Sequence, residues 1–139
     1  MIDGIDHIGI AVRSIEDSAP LYRERFGLRF EGEEEVPSQG VKVAFFSAGQ
    51  TKIELLEPLT EESPIARFLD KRGEGVHHVA LSVADIDDAR QEMEKQDIRL
   101  LSDAPRVGAH NKLISFMHPA DTGRVLFELT QDQAGEDGQ

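Results

Sequence analysis

Two nine-residue stretches of this 139-residue chain share one pattern, with Gly, His and Val at the same three positions and similar residues at most of the others. "GIDHIGIAV" begins at Gly4 and "GVHHVALSV" begins at Gly75, an offset of 75 − 4 = 71 residues. At this offset His7 falls on His78, and Phe45 falls on Phe116. A repeat of this length constrains a fold more than a single motif does, because each copy must form the same supersecondary unit. The sequence therefore predicts two tandem modules of one architecture.

The helix starts repeat as well. "SIED" at residues 14–17 falls on "DIDD" at residues 85–88, and in each quartet a capping residue is followed three positions later by an acid. The order within each half reads strand, helix and then three strands. Helices are predicted over 15–26 and 86–96, with Pro20 near the first turn of the former. The predicted strands are 5–12, 28–34, 41–47 and 51–57 in the first half, and 76–83, 98–102, 112–117 and 124–130 in the second.

A further helix is predicted between the halves. In "SPIARFLDKRGEG", Ser63 is a candidate cap, Pro64 suits the first helical position and Gly73 is a candidate stop. The chain is accordingly interpreted as a single domain over 1–131. Module one covers 1–58, the linking helix 59–74 and module two 75–131, and the polar residues 132–139 are predicted to be a disordered tail.

Composition excludes several classes of partner. The net charge of −12 disfavours nucleic acids and anionic membrane surfaces, because both bind clustered positive charge. No apolar run approaches the roughly 20 residues of a membrane helix, and the N-terminus lacks the pattern of a signal peptide. Because the chain has no cysteine, disulfides and thiolate metal sites are ruled out, and a cytoplasmic location is the default expectation.

Strand alternation predicts which of the adjacent histidines His77 and His78 matters. Successive side chains point to opposite faces, so His7 shares a face with Gly9 and Ala11. His78 likewise lies beside Ala80 and Ser82, and small neighbours of this kind leave open space for a ligand. His77 is the counterpart of Asp6 and should point to the other face, near a strand end.

A pair of glutamates repeats too. Near the module ends the offset grows to 74, because "MHPADTGR" is three residues longer than its counterpart, and Glu54 then falls on Glu128. Two imidazoles and two carboxylates suit Co²⁺, Mn²⁺, Ni²⁺, Fe²⁺ or Zn²⁺ better than Ca²⁺ or Mg²⁺. The alternative is a duplicated fold whose polar residues merely face solvent.

The remaining polar residues carry weaker signals. His110 and His118 lie in predicted loops, where the default expectation is an exposed and inert side chain. The acidic run 31–35 is expected to be a solvated strand edge. Several cations could meet an anionic part of a ligand, and the sequence does not choose among them: Lys71, Arg72, Arg106 and Lys112.

On these residues the chain resembles the vicinal-oxygen-chelate superfamily and, within it, the methylmalonyl-CoA epimerase family. The resemblance covers residues 2–131 and is most specific in "SPIARFL", "VHHVAL" and "FMHP". It implies an α+β fold in which two tandem βαβββ modules form a cupped mixed sheet around one metal site. It also implies an acyl-CoA substrate and a homodimer.

The resemblance further implies roles for particular residues. His7, Glu54, His78 and Glu128 match the metal ligands, with Co²⁺ the first choice of ion. The implied reaction is proton exchange at C2 of methylmalonyl-CoA through an enolate, which interconverts its 2R and 2S forms. Glu128 is the first candidate for the base that removes the C2 proton, and Glu54 is the candidate for the opposite face of that carbon. Some epimerases carry another catalytic glutamate near the position of Val43, and its absence here puts a two-base assignment in doubt.

Three other functions share this pattern. Glyoxalase I also uses two histidines and two glutamates as metal ligands. A metal-dependent dioxygenase fits less well, because such sites use two histidines and one carboxylate. A non-catalytic drug-binding protein of the same fold usually lacks the complete ligand set.

Overall fold

The protein has an α+β fold, and this computed structural model describes residues 1–133. Most of the predicted tail, residues 134–139, lies outside the described residues. The first half contains β1 (Ile2–Ala11), α1 (Ile15–Pro20), β2 (Arg29–Val36), β3 (Val41–Ala48) and β4 (Thr51–Pro58). The helix α2 (Pro64–Arg72) follows, and the second half contains β5 (Gly75–Val83), α3 (Ile86–Lys95), β6 (Arg106–Val107), β7 (Leu113–Phe116) and β8 (Phe127–Gln131).

The chain divides into two compact units. The unit formed by His7–His77 is called the N-terminal unit, and the C-terminal unit combines Met1–Asp6 with the chain from His78 onward. The strand order in the N-terminal unit is β2-β3-β4-β1, and that in the C-terminal unit is β1-β5-β8-β7-β6. In each unit the strand that opens the module runs parallel to the strand that closes it, β1 beside β4 and β5 beside β8.

The N-terminal unit packs α1 on one face of its strands. The buried cluster on this face is Val12, Ile15, Ala19, Ala44, Phe46 and Leu55. Phe46 lies at its centre, with ring centroids 5.7 Å from Tyr22 and 5.4 Å from Phe30. Because strand residues alternate, the residues between these core positions lie on the opposite face.

The C-terminal unit repeats this arrangement with α3. The buried cluster is Val83, Ile86, Ala89, Met93, Met117 and Leu129. One buried cation lies among these residues: Arg90 is 9% exposed, and its guanidinium donates to the Ser115 hydroxyl and, at 3.0 Å, to the Ser102 carbonyl. The guanidinium therefore joins α3 to β7 and to the loop after α3.

Both helix starts are built in the same way. Ser14 and Asp85 accept hydrogen bonds from the amides three residues on, as the sequence predicted. A second acceptor reaches the first amide of each helix from the closing strand. Glu57 accepts from the amide of Ile15 at 2.7 Å, and Gln131 accepts from the amide of Ile86 at 2.7 Å.

The structure corrects two predicted elements. The first helix is α-helical only over Ile15–Pro20 and continues as a π-turn, Leu21–Arg25, so Pro20 lies at this junction rather than near the first turn. Proline lacks an amide hydrogen and disrupts the regular α-helical bonding, which is consistent with the wider turn that follows it. The predicted strand 98–102 is reduced to one bridge between Leu100 and Met117, and β6 forms at Arg106–Val107 instead.

The linking helix lies where the sequence predicted it. Ser63 accepts from the amide of Ile65, Pro64 is the first helical residue and Gly73 ends the helix with φ 77°. Among residues 1–133, no helix is long and apolar enough to cross a membrane.

Candidate active site

The N-terminal unit holds a buried histidine–glutamate pair on the face opposite α1. His7 on β1 and Glu54 on β4 are 5% and 6% exposed. The His7 Nδ1 atom lies 3.2 Å from Glu54 Oε2. Gly9, the register partner of Glu54, lies two residues from His7 on the same face. The predicted strand parity is confirmed for both residues.

The C-terminal unit holds the equivalent pair. His78 on β5 and Glu128 on β8 are 6% and 3% exposed, and His78 Nε2 lies 3.3 Å from Glu128 Oε1. Ala80 is the register partner of Glu128, as Gly9 is of Glu54. Each unit therefore offers one imidazole and one carboxylate, buried and in contact.

Equivalent phenylalanines lie beside the two glutamates. Phe45 on β3 is the register partner of Glu54, and Phe116 on β7 is the register partner of Glu128. The Phe116 ring meets His78 edge-to-face, with centroids 5.5 Å apart. An edge-to-face contact of this kind adds to the packing of the imidazole.

His77 has a different environment from its neighbour. Its ring lies 5.1 Å from that of Phe68 on α2, edge-to-face. Burial, together with the positive charge of Arg72, lowers the pKa of His77 to about 4. His77 is therefore neutral at pH 7 and belongs to the packing of α2. The prediction that His77 faces away from His78 is confirmed. The expected position near a strand end did not include the packing of His77 against Phe68 of α2.

The loop residues of the second module have structural partners. The His118 Nδ1 atom accepts from the amide of Ala120 at 3.1 Å. Lys112, one of the four cations considered for a ligand, lies 2.8 Å from Asp6 and 3.2 Å from Asp132. Burial is the largest single influence on the pKa of Lys112 and lowers it. The two carboxylates together outweigh burial, so the pKa of Lys112 is raised. Its charge is thus already compensated within the C-terminal unit.

Sequence reasoning missed one acidic residue in the N-terminal unit. Glu34 belongs to the run interpreted as a solvated edge, yet it is half-buried and pairs in register with the buried Val43. The available signal was Gly32, because a glycine inside a strand pattern often marks a bulge.

Comparison with known proteins identifies the family. A profile of the glyoxalase/bleomycin resistance protein/dioxygenase superfamily matches residues 6–116. The chain is 41% identical to the human mitochondrial methylmalonyl-CoA epimerase over 128 residues, covering 91% of this chain and 73% of that protein. The chain belongs to the methylmalonyl-CoA epimerase family of this superfamily. It is therefore an enzyme of the isomerase class.

Two further relatives show the range of this family. The ethylmalonyl-CoA/methylmalonyl-CoA epimerase of Cereibacter sphaeroides is 42% identical, covering 94% of this chain and 99% of that protein. A methylmalonyl-CoA epimerase of Streptomyces coelicolor, whose structure was solved as a variant in complex with 2-nitronate-propionyl-CoA, is 36% identical. That structure matches with a TM-score of 0.91 over 95% of this chain and 99% of its own.

Proposed function

We propose that the chain interconverts (2R)- and (2S)-methylmalonyl-CoA in a metal-dependent reaction. The observation that carries the proposal is the repeated buried pair, His7 with Glu54 and His78 with Glu128. The family supports the substrate, since its relatives are named for this activity and the structure of one was solved in complex with an acyl-CoA analogue.

The chemistry of the two pairs fits a divalent ion. Two neutral imidazoles and two carboxylates are the donor types that Co²⁺, Mn²⁺, Ni²⁺, Zn²⁺ and Fe²⁺ share, and two carboxylates balance the charge of the ion. In our proposal both pairs hold one ion together, with Co²⁺ preferred. When bound, the ion supplies a Lewis acid that stabilises negative charge on substrate oxygens.

The protein residues supply the proton transfers. The C2–H bond of methylmalonyl-CoA lies between a thioester and a carboxylate, and both groups can share the negative charge left when the proton leaves. Glu128 takes this proton on one face, the electron pair passes to the substrate oxygens, and a second carboxyl group returns a proton on the other face. Glu54 is the first candidate for that second group.

The test follows deuterium at C2. Protein dialysed against a chelator and reloaded with Co²⁺ is incubated with each epimer in D₂O, and a methylmalonyl-CoA mutase assay reports inversion. We expect metal-dependent uptake of deuterium with inversion, and a loss of about 100-fold or more in Glu128→Gln, as for other acid–base residues. A protein that binds Co²⁺ but exchanges no C2 proton would contradict the proposal.

The second candidate function is that of glyoxalase I. The superfamily profile and the set of two histidines and two glutamates both favour it. Turnover of the hemithioacetal of methylglyoxal and glutathione, with no turnover of acyl-CoA, would replace the first proposal.

The first proposal also includes a homodimer and a cytoplasmic location. The homodimer comes from the family resemblance, and the cytoplasmic location comes from the cysteine-free composition.

A further inference from the structure

A β-bulge in β2 changes the face on which Glu34 lies. Between β2 and β3 the paired residues are Phe30 with Phe46, and then Glu33 with Ala44 and Glu34 with Val43. A regular antiparallel ladder that begins at the pair of Phe30 with Phe46 would pair Glu33 with Val43. Glu33 pairs with Ala44 instead, so β2 carries one extra residue between Phe30 and Glu33. Gly32 lies within this interval and has φ 111°, a conformation that favours glycine.

The extra residue decides the orientation of Glu34. Phe30 lies on the α1 face, where its ring meets that of Phe46. In a regular strand Glu34, four residues later, would lie on that face as well. The bulge reverses the alternation, so Glu34 shares a face with its register partner Val43 instead.

That face is the one that carries the histidine–glutamate pair. Val43 pairs with Leu56, and two positions along the same strands Phe45 pairs with Glu54. Ala44, Phe46 and Leu55 lie on the other face, in the cluster under α1. Glu34 and Glu54 are therefore on the same side of the N-terminal unit, two strands apart, or about 10 Å between strand axes.

A second carboxylate of β2 lies on this face, but it is exposed. Glu31 lies on the same side of β2 as Arg29, whose register partner is Ser47, and its Oε1 atom lies 3.4 Å from Lys52 Nζ. Glu33 and Glu35 pair with Ala44 and Lys42 and lie on the α1 face. Among these acids of β2, Glu34 is the half-buried one that the bulge turns toward the face of Glu54.

We propose that Glu34 is the second acid–base residue of the epimerase, acting on the face of C2 opposite Glu128. This inference rests on the proposed function and replaces Glu54 in the second proton transfer. Glu34 lies on the same face as Glu54, two strands away, and this spacing leaves room for an acyl group between Glu34 and the histidine–glutamate pair. In one direction Glu128 takes the C2 proton and Glu34 gives its own proton to the other side of C2, and in reverse the roles exchange. Each turnover thus leaves one glutamate protonated and the other ionised, and proton exchange with water restores the starting state.

The experiment separates deuterium exchange from inversion in Glu34→Gln. With one base left, Glu128 removes and returns the proton on one face, so one epimer should still take up deuterium at C2 without inverting. Inversion in both directions should fall by about 100-fold or more, and the other epimer should lose its exchange. The Co²⁺ content should equal that of the unmodified protein, which separates this role from metal binding.

Three variants complete the design. Glu35→Gln, the matched control from the α1 face, should invert normally, and Glu54→Gln should lose Co²⁺ as well as activity. Glu34→Gln/Val43→Glu places a carboxylate on the neighbouring strand, at the register partner of Glu34, and should recover part of the inversion.

Two outcomes would overturn the assignment to Glu34. One is inversion at the normal rate by Glu34→Gln, and the other is exchange without inversion in Glu54→Gln with Co²⁺ bound. An unmodified protein that exchanges neither epimer would instead overturn the proposed function, and this inference with it.

Discussion

Single side chains complete the starts of both module helices. The first amides of an α-helix have no partner within the helix, so an acceptor must come from elsewhere. Glu57 and Gln131 are equivalents at the offset of 74, and each accepts from the first amide of its helix at 2.7 Å. One acceptor is an acid and the other an amide, so this position needs an oxygen rather than a charge.

Replacing Gln131 by leucine should therefore destabilise the protein. The amide of Ile86 would lose its acceptor, at a cost of about 1 kcal/mol in the free energy of unfolding, measured by urea titration. Gln131→Glu is the matched control, because it keeps the oxygen and adds a negative charge at a helix N-terminus, where such charges stabilise. Equal stability of the leucine variant and the unmodified protein would mean that water replaces the side chain at no cost.

The ion pair of Asp121 with Arg99 gives the protein a defined response to acid. Asp121 accepts from the Arg99 side chain at 2.8 Å and from its backbone amide at 2.9 Å. These bonds lower the pKa of Asp121 to about 2. The unfolded carboxyl, with its ordinary pKa near 3.8, takes up its proton at higher pH than the folded one. The contribution to stability is thus complete above pH ~4 and lost as the pH falls towards 2.

Asp121→Asn should remove this part of the acid response. The stability difference between the variant and the unmodified protein should be largest near pH 5 and should shrink as the pH falls to about 2, in urea titrations at each pH. Asp103→Asn, at another exposed acid, serves as the control. A difference that stays constant over this whole pH range would show that the pair contributes nothing that depends on the charge of Asp121.

At the scale of elements, α3 is held by a buried cation as well as by apolar contacts. Arg90 donates to Ser115 on β7 and to the carbonyl of Ser102. Truncating Arg90 would leave the Ser115 hydroxyl and the Ser102 carbonyl without their donor. The loss of stability from such unsatisfied groups exceeds the net contribution of the hydrogen bonds themselves. Arg90→Ala should lower the free energy of unfolding by about 3 kcal/mol.

A double-mutant cycle tests this link between elements. Ser115→Ala alone removes the acceptor, and the double variant Arg90→Ala/Ser115→Ala removes both partners. We expect a coupling energy of about 1 kcal/mol from urea titrations of the four proteins. Additive effects of the two substitutions would show that the bond between Arg90 and Ser115 contributes nothing to stability.

The elements also show how far the sequence predicts this fold. Capping residues and Gly73 located the starts of three helices and the end of α2, because those signals are local. The predicted strand 98–102 was wrong, because its apolar residues make only one bridge, at Leu100. The turn of Glu34 to the opposite face depends on its pairing with Val43 across the bulge, and no periodicity within β2 reveals that register.

At the scale of the whole molecule, the repeat predicted the candidate site better than any single residue did. A single histidine on a strand is more often a packing residue than a ligand, as half-buried His77 shows by its contact with Phe68. The equivalence of His7 with His78 and of Glu54 with Glu128 placed four residues correctly on their strands and faces, and the structure brings them together in two pairs. The ion that would join the two pairs stays a prediction, because only the chemistry of the donors supports it.

Metal stoichiometry tests whether the two pairs act together. If one ion is shared, the chelator-treated protein should bind one Co²⁺ per chain, and His7→Ala and His78→Ala should each abolish this binding in calorimetric titrations. Binding also stabilises the folded state, by about 2.7 kcal/mol at a free Co²⁺ concentration about 100 times the Kd, so thermal unfolding gives a second measurement. His118→Asn, which removes an imidazole outside both pairs, should keep the stoichiometry and the thermal shift. Two ions per chain, or one ion retained by each histidine variant, would mean that the units bind metal separately, and the shared site would have to be abandoned.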